Sequence, residues 1–157
     1  MKSNESDCQN ITEMDGTFCE EIASLPGGEN IKKCFACGTC TAGCPVSAIE
    51  KTYSPRKIIH QILLGMREEL LKSPEIWYCL ICYRCYSRCP QQVNFTDIMS
   101  VLRYLAVKHN YVSYDILKDS CEVDTLSQKI RRDMIKDSII DKKQKLKEIK
   151  SKTSKAL

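Results

Sequence analysis

Apolar residues recur at helical spacing in several stretches of the chain, and nowhere do they sustain a period of two. The pattern predicts a mainly α fold with little or no sheet. Residues 16–25 bring Phe18, Ile22 and Leu25 to one face, and Pro26-Gly27-Gly28 ends that helix. The strongest helix starts at Ser54-Pro55, with Ser54 suited to the N-cap and Pro55 to the first helical position. Its apolar face runs through Ile58, Ile59, Ile62, Leu63, Met66 and Leu70. Ser73-Pro74 repeats the start signal and opens a short helix over 75–78. Asn94 or Thr96 can cap a further helix with the stripe Ile98, Met99, Val101, Leu102, Leu105 and Ala106, ending near His109-Asn110. Beyond residue 113 the apolar positions thin out among charges, which predicts helix to about 140 and fraying afterwards. The organisation expected is a mobile N-terminus over 1–14, a helical domain over 15–112 and a basic helical extension over 113–157.

The helices frame two cysteine runs, "CFACGTCTAGCP" at 34–45 and "CLICYRCYSRCP" at 79–90. Each reads C-x2-C-x2-C-x3-C-P, and every cysteine of the second is 45 residues beyond its counterpart in the first. Eleven cysteines in 157 residues would suit a secreted disulfide scaffold. The start "MKSNESDCQN" has no apolar core of a secretory signal, and the longest apolar run, "IWYCLICY", is far too short to span a membrane. A cytoplasmic location is therefore expected. Reduced thiols at repeated C-x2-C spacing there point to metal.

Charge is uneven. Residues 128–157 carry eleven Lys or Arg against four acids, a local +7 in a chain of net +4, which leaves the first 127 residues at −3. The basic tail has no aromatic residues among its lysines, so a solvated helix or docking arm is the expectation over nucleic acid or membrane surface. No P-loop, G-x-G-x-x-G, G-x-S-x-G or H-E-x-x-H pattern is present, so the chain is not expected to be an enzyme alone.

A cubane 4Fe-4S cluster takes one thiolate on each of four irons. Three cysteines at i, i+3 and i+6 can wrap one side of it, and the fourth must come from elsewhere. In runs of this form the fourth cysteine ligates the other cluster of a two-cluster protein. The expected sets are crossed: Cys34, Cys37, Cys40 and Cys89 for one cluster, and Cys79, Cys82, Cys85 and Cys44 for the second. Each cluster would then tie the two halves of the domain together, and loading would change the net charge by about −4. The proline after each fourth cysteine turns the chain away. Gly38 and Gly43 are expected to let backbone N–H groups reach sulfur, whereas the second run carries Tyr83, Arg84, Tyr86 and Arg88. Arg84 and Arg88 should favour the reduced state of the cluster they adjoin. The alternative for these eight thiols is a pair of structural zinc sites, which generally use two separated C-x2-C pairs.

Cys8, Cys19 and Cys121 lie outside the runs and read as incidental or buried thiols, and His60 and His109 as structural. Trp77 and the tyrosines beside the second run are expected to shield a cluster from water.

The two runs, with "CGTCTAGCP" in the first and a capped helix between them, resemble the alpha-helical ferredoxin domain. Over residues 25–112 the chain is similar to the C-subunit family of heterodisulfide reductase. The 34-residue spacer between Cys44 and Cys79 is too long for the compact bacterial ferredoxin. Iron-sulfur subunits of succinate, fumarate, glycolate and glycerol-3-phosphate type dehydrogenases share the module and are the alternative. The chain lacks the C-x4-C-x2-C segment of the first two and the adjacent cysteine pairs of the others. The resemblance implies two 4Fe-4S clusters in a hetero-oligomeric complex. Electrons would pass from a partner that contains flavin and iron-sulfur centres, or from a membrane cytochrome, to a CCG-domain partner. That partner reduces the coenzyme M–coenzyme B heterodisulfide of methanogenesis.

Overall fold

The computed structural model describes residues 14–154, with side chains as far as residue 144. The N-terminal stretch read as mobile, Cys8 included, lies outside the described residues apart from Met14. The chain divides into two units, the first ending at Ser113 and the second beginning at Tyr114.

The first unit is helical throughout, with no strand among the described residues. Its elements are α1 (Phe18–Ser24), a 3-10 turn (Ile31–Lys33), α2 (Thr39–Ala42), α3 (Pro45–Ile49), α4 (Pro55–Leu63), α5 (Arg67–Lys72), a second 3-10 turn (Pro74–Trp77), α6 (Arg84–Arg88) and α7 (Phe95–Lys108). α7 is the central element: it packs on α1, α5, α6 and the second 3-10 turn, while α2 rests on α4 and α6. It buries Ile98, Met99, Leu102, Leu105 and Ala106 completely, against Phe18, Ile22, Ile62, Leu70, Leu71 and Ile76. Removing apolar surface of this kind from water is worth about 1.5–3 kcal/mol per large side chain. That burial holds short helices, too brief to be stable alone, in place.

The starts of the helices follow the sequence. The Ser54 hydroxyl accepts from the Lys57 N–H at 3.3 Å and Pro55 is the first residue of α4. Ser73 likewise accepts from the Glu75 N–H at 3.1 Å ahead of Pro74. The apolar face that continues through Leu70 is not one helix, however. Gly65 has φ of +75° and breaks it into α4 and α5. The Asp15 backbone fills the space beside it: a Cβ on Gly65 would lie 2.4 Å from the Asp15 carbonyl oxygen. Leu63, read as part of the buried face, is consequently 38% exposed.

Arg67 opens α5 by reaching back to the start of the chain. Its guanidinium is 2.5 Å from both Asp15 and Glu21 and stacks over Phe18 at 4.7 Å. The Thr17 hydroxyl, then Arg67, hold the Asp15 carboxyl down at about 2.

The second unit is one helix, α8 (Asp115–Ser154), of 40 residues. It continues past residue 140, where the apolar pattern thins. Val123, Leu126, Ile130 and Met134 are exposed along it, as is Cys121.

Candidate metal centre

The two cysteine runs follow the same backbone path. Ala36 and Gly38 have φ of 56° and 80°, and their counterparts 45 residues on, Ile81 and Tyr83, have 48° and 57°. Each left-handed pair ends at the N-cap of a short helix, Gly38 before α2 and Tyr83 before α6. The fourth cysteines match as well: Cys44 N–H donates to Thr41 and Cys89 N–H to Tyr86, at equivalent positions. A left-handed β-branched residue such as Ile81 is uncommon and needs its surroundings to hold it.

All ten described cysteines are free thiols. The eight of the two runs surround two cavities. Cys34, Cys37, Cys40 and Cys89 line the first, together with Arg56, Val93 and Phe95. Cys44, Cys79, Cys82 and Cys85 line the second, with Tyr53, Pro55, Arg84 and Thr96. Each cavity thus takes three thiols from one run and the last thiol of the other. Among the described residues no three metal-ligating side chains converge on the position of a single ion. The thiols stand around a volume, which suits a polynuclear iron-sulfur core better than one tetrahedral zinc.

At the first cavity the polar contacts to sulfur are mostly main chain. The Ala36 N–H donates to Cys34 Sγ at 3.4 Å and the Val93 N–H to Cys89 Sγ at 3.3 Å. The Thr39 hydroxyl lies 3.3 Å from Cys37 Sγ at the exposed rim and, with the Thr39 N–H, pulls the Cys37 thiol down. Burial pushes the Cys40 thiol up. Neither glycine N–H serves sulfur here. Gly43 instead makes room for Arg88, whose Nη1 would be 2.5 Å from a Cβ at that position.

The second cavity is backed by a buried cation. Arg103, 8% exposed on α7, donates to the carbonyls of Ile76 at 2.9 Å, Trp77 at 3.3 Å and Cys79 at 2.8 Å, and stacks over Trp77 at 5.4 Å. It fixes the segment that carries Cys79. Burial pushes the Cys79 thiol up, opposed by a backbone hydrogen bond from Ile81, the Arg103 charge and the Tyr53 hydroxyl. Tyr53 is buried, and its own burial, followed by the thiols of Cys79 and Cys44, pushes its hydroxyl well above the ordinary phenol range. Its Oη forms no hydrogen bond. Thr96, a candidate helix cap in the sequence, instead turns its hydroxyl to Cys85 Sγ at 3.2 Å.

The shielding role expected of the tyrosines beside the second run falls to a different residue. Tyr78, Tyr83 and Tyr86 are about half exposed, whereas Tyr53 closes the cavity from within. Arg84 lines the second cavity, while Arg88 lies against the first run at Gly43. The first cavity's cation, Arg56, had no signal in the sequence beyond its place after Ser54-Pro55. Cys19 packs at the edge of the core, and burial raises its thiol. His109 meets Glu21 at 3.4 Å at the end of α7, remote in the chain from either run.

Residues 30–93 match the family described as "4Fe-4S dicluster domain". Among curated proteins, the chain is 45% identical over 105 residues to an iron-sulfur C subunit, the second of two numbered forms, of the CoB–CoM heterodisulfide reductase of Methanocaldococcus jannaschii, covering 62% of this chain and 55% of that one. It is 36% identical over 100 residues to the C subunit of the H(2):CoB-CoM heterodisulfide,ferredoxin reductase of Methanothermobacter marburgensis, covering 64% and 53%. A protein of Archaeoglobus profundus named as similar to the heterodisulfide reductase C subunit is 35% identical over 94 residues, covering 60% and 50%. The matches span about half the length of these relatives. No helix among the described residues is long and apolar enough to cross a membrane. Residues 30–93 therefore belong to the 4Fe-4S dicluster domain family and carry two 4Fe-4S clusters, in a chain similar to the C subunits of heterodisulfide reductases.

Proposed function

We propose that this chain is the electron-transfer subunit of a heterodisulfide reductase or of a complex of that kind. In this reading Cys34, Cys37, Cys40 and Cys89 ligate one cluster, and Cys79, Cys82, Cys85 and Cys44 the other. The observation that carries it is the lining of the two cavities by those crossed sets. Bound there, the clusters supply two neighbouring stations that each take up and release one electron. The chain's own residues hold the thiols in register, exclude water and set the surrounding charge. Main-chain N–H groups stabilise ionised sulfur at the first site, and Arg103 fixes the approach to the second.

Two exposed apolar residues support a relay between partners. Phe35 follows Cys34 and lines the first cavity; Leu80 follows Cys79 and lines the second. They are 58% and 55% exposed and occupy equivalent positions of the duplicated runs. A donor and an acceptor covering these rims would come close to one cluster each. The donor would be the flavin-containing partner or a cytochrome, and the acceptor the CCG-domain partner. Relatives of this chain are named as subunits of reductases acting on the CoB–CoM heterodisulfide.

Iron and acid-labile sulfide on the anaerobically purified chain test the reading, with about eight of each expected for two cubanes. Cys37→Ser and Cys89→Ser then test the crossing. The double variant should retain about four irons, as each single variant does, because both thiols serve one site. A double variant that loses both clusters while the single variants lose different ones would overturn the crossed sets.

A further inference from the structure

The second cavity contains two buried side-chain hydroxyls that the ligand sets leave without a task. Tyr53 and Thr96 are each 1% exposed and both line the cavity. Thr96 Oγ1 lies 3.2 Å from Cys85 Sγ, and Tyr53 Oη has no hydrogen bond at all. Leaving a buried hydroxyl unsatisfied costs about 1–3 kcal/mol. That cost disappears when an acceptor arrives. An ionised cysteine sulfur has no proton to give, so a hydroxyl facing it must be the donor.

The first cavity is built differently. Its one described hydroxyl contact, Thr39 to Cys37, lies at the exposed rim, and the remaining contacts to sulfur come from the main chain. In solvent-exposed positions water competes with the hydroxyl; in the dry wall of the second cavity it does not. The backbone positions Tyr53 independently of any cluster, since it immediately precedes the Ser54 cap and the Pro55 start of α4. Thr96 is held within the first turn of α7.

We propose that Tyr53 and Thr96 donate their O–H groups to sulfur at the second site, Tyr53 toward Cys79 and Thr96 to Cys85, and thereby raise the reduction potential of the cluster bound there. The proposal rests on the reading of Cys44, Cys79, Cys82 and Cys85 as ligands. Reduction adds one negative charge to the cluster and its thiolates, and a donor aimed at that charge favours the reduced state. Both residues act through the ligand sulfur as positioning and tuning groups; neither reacts.

The test uses the full chain carrying both clusters, purified without oxygen, and reads midpoint potentials by EPR-monitored redox titration. Tyr53→Phe removes one oxygen from a ring that keeps its shape, and Thr96→Val replaces a hydroxyl by a methyl. Each is expected to lower the same one of the two potentials, by up to about tenfold in the reduction equilibrium, or 59 mV for one electron. The other potential should stay where it was, and the double variant should shift further than either alone. Shifts of both potentials together, opposite assignments for the two variants, or no shift in either would overturn it. Should Tyr53→Phe lose iron, Tyr53 is structural and that half of the proposal fails, while Thr96→Val still reads the other half. Iron and sulfide are counted first on the unaltered chain. Fewer than two clusters there defeats the ligand reading, whereas two clusters whose potentials ignore both substitutions defeat this proposal alone.

Discussion

Gly65 and Asp15 lie backbone against backbone: the Asp15 N–H donates to the Gly65 carbonyl at 2.8 Å, and the Asp15 main chain occupies the space where a Gly65 side chain would project. The contact anchors the segment ahead of α1 to the joint between α4 and α5. Gly65→Ala meets two penalties, the left-handed conformation and the clash with backbone that has no flexible end to yield. The expected loss is about 2–4 kcal/mol, from roughly 1 kcal/mol of conformation and 1–3 of overpacking. Denaturant unfolding of the cluster-loaded chain measures it, and a loss below about 1 kcal/mol would show that Asp15 moves aside freely.

Arg67 ties the same region by charge, through Asp15 and Glu21. Arg67→Met keeps the packing over Phe18 and removes both ion pairs. The partly buried pairs should make it cost about 1–3 kcal/mol, and half-molar salt should only partly erase the difference. Equal stability of the two proteins at low salt would refute a structural role for the pairs.

Tyr83 holds a left-handed conformation that its counterpart Gly38 adopts without strain. Its ring is half exposed and makes an edge contact with Tyr86 at 6.2 Å. Tyr83→Gly relieves about 1–2 kcal/mol of backbone strain and gives back about 0.5–1 in chain entropy. The variant is expected to be as stable as the parent or up to about 1 kcal/mol more stable, with iron content unchanged. A clear destabilisation would mean that the Tyr83 side chain packs on something essential.

Arg103→Leu leaves three carbonyls without their donor and removes the cation behind Cys79. A loss of about 2–4 kcal/mol is expected, together with faster release of iron from one site under a chelator. Arg103→Lys should recover little, because an ammonium cannot span the fork. Full rescue by lysine would indicate that charge alone matters.

The crossed grouping of cysteines around the two cavities was legible because it is written in residue types and spacings. An unvarying offset between two cysteine runs survives any uncertainty about where helices begin. The helical class and the capped starts at Ser54 and Ser73 were legible for the same local reason. The break at Gly65 was not, since a glycine inside an apolar periodic stretch gives no sign of the backbone that will lie beside it. Arg103 sits on a helix that otherwise reads as amphipathic, where a lone cation looks solvated until its three carbonyl partners are in place. Tyr53 and Thr96 flank helix starts in the sequence, and a hydroxyl there reads as a cap or a turn residue. Their placement depends on how α4 and α7 come together, a long-range fact that local pattern does not contain.

Cys44 and Cys89 each line the cavity formed by the other run. That exchange bears on the order in which metal enters. A nascent chain that fills one cavity has already drawn residues of both runs together, so the four thiols of the second are brought near each other before any iron reaches them. Their effective concentration rises and the second insertion becomes easier than the first. Maturation is then cooperative: at limiting iron and sulfide, empty and fully loaded chains should coexist, with few carrying a single cluster.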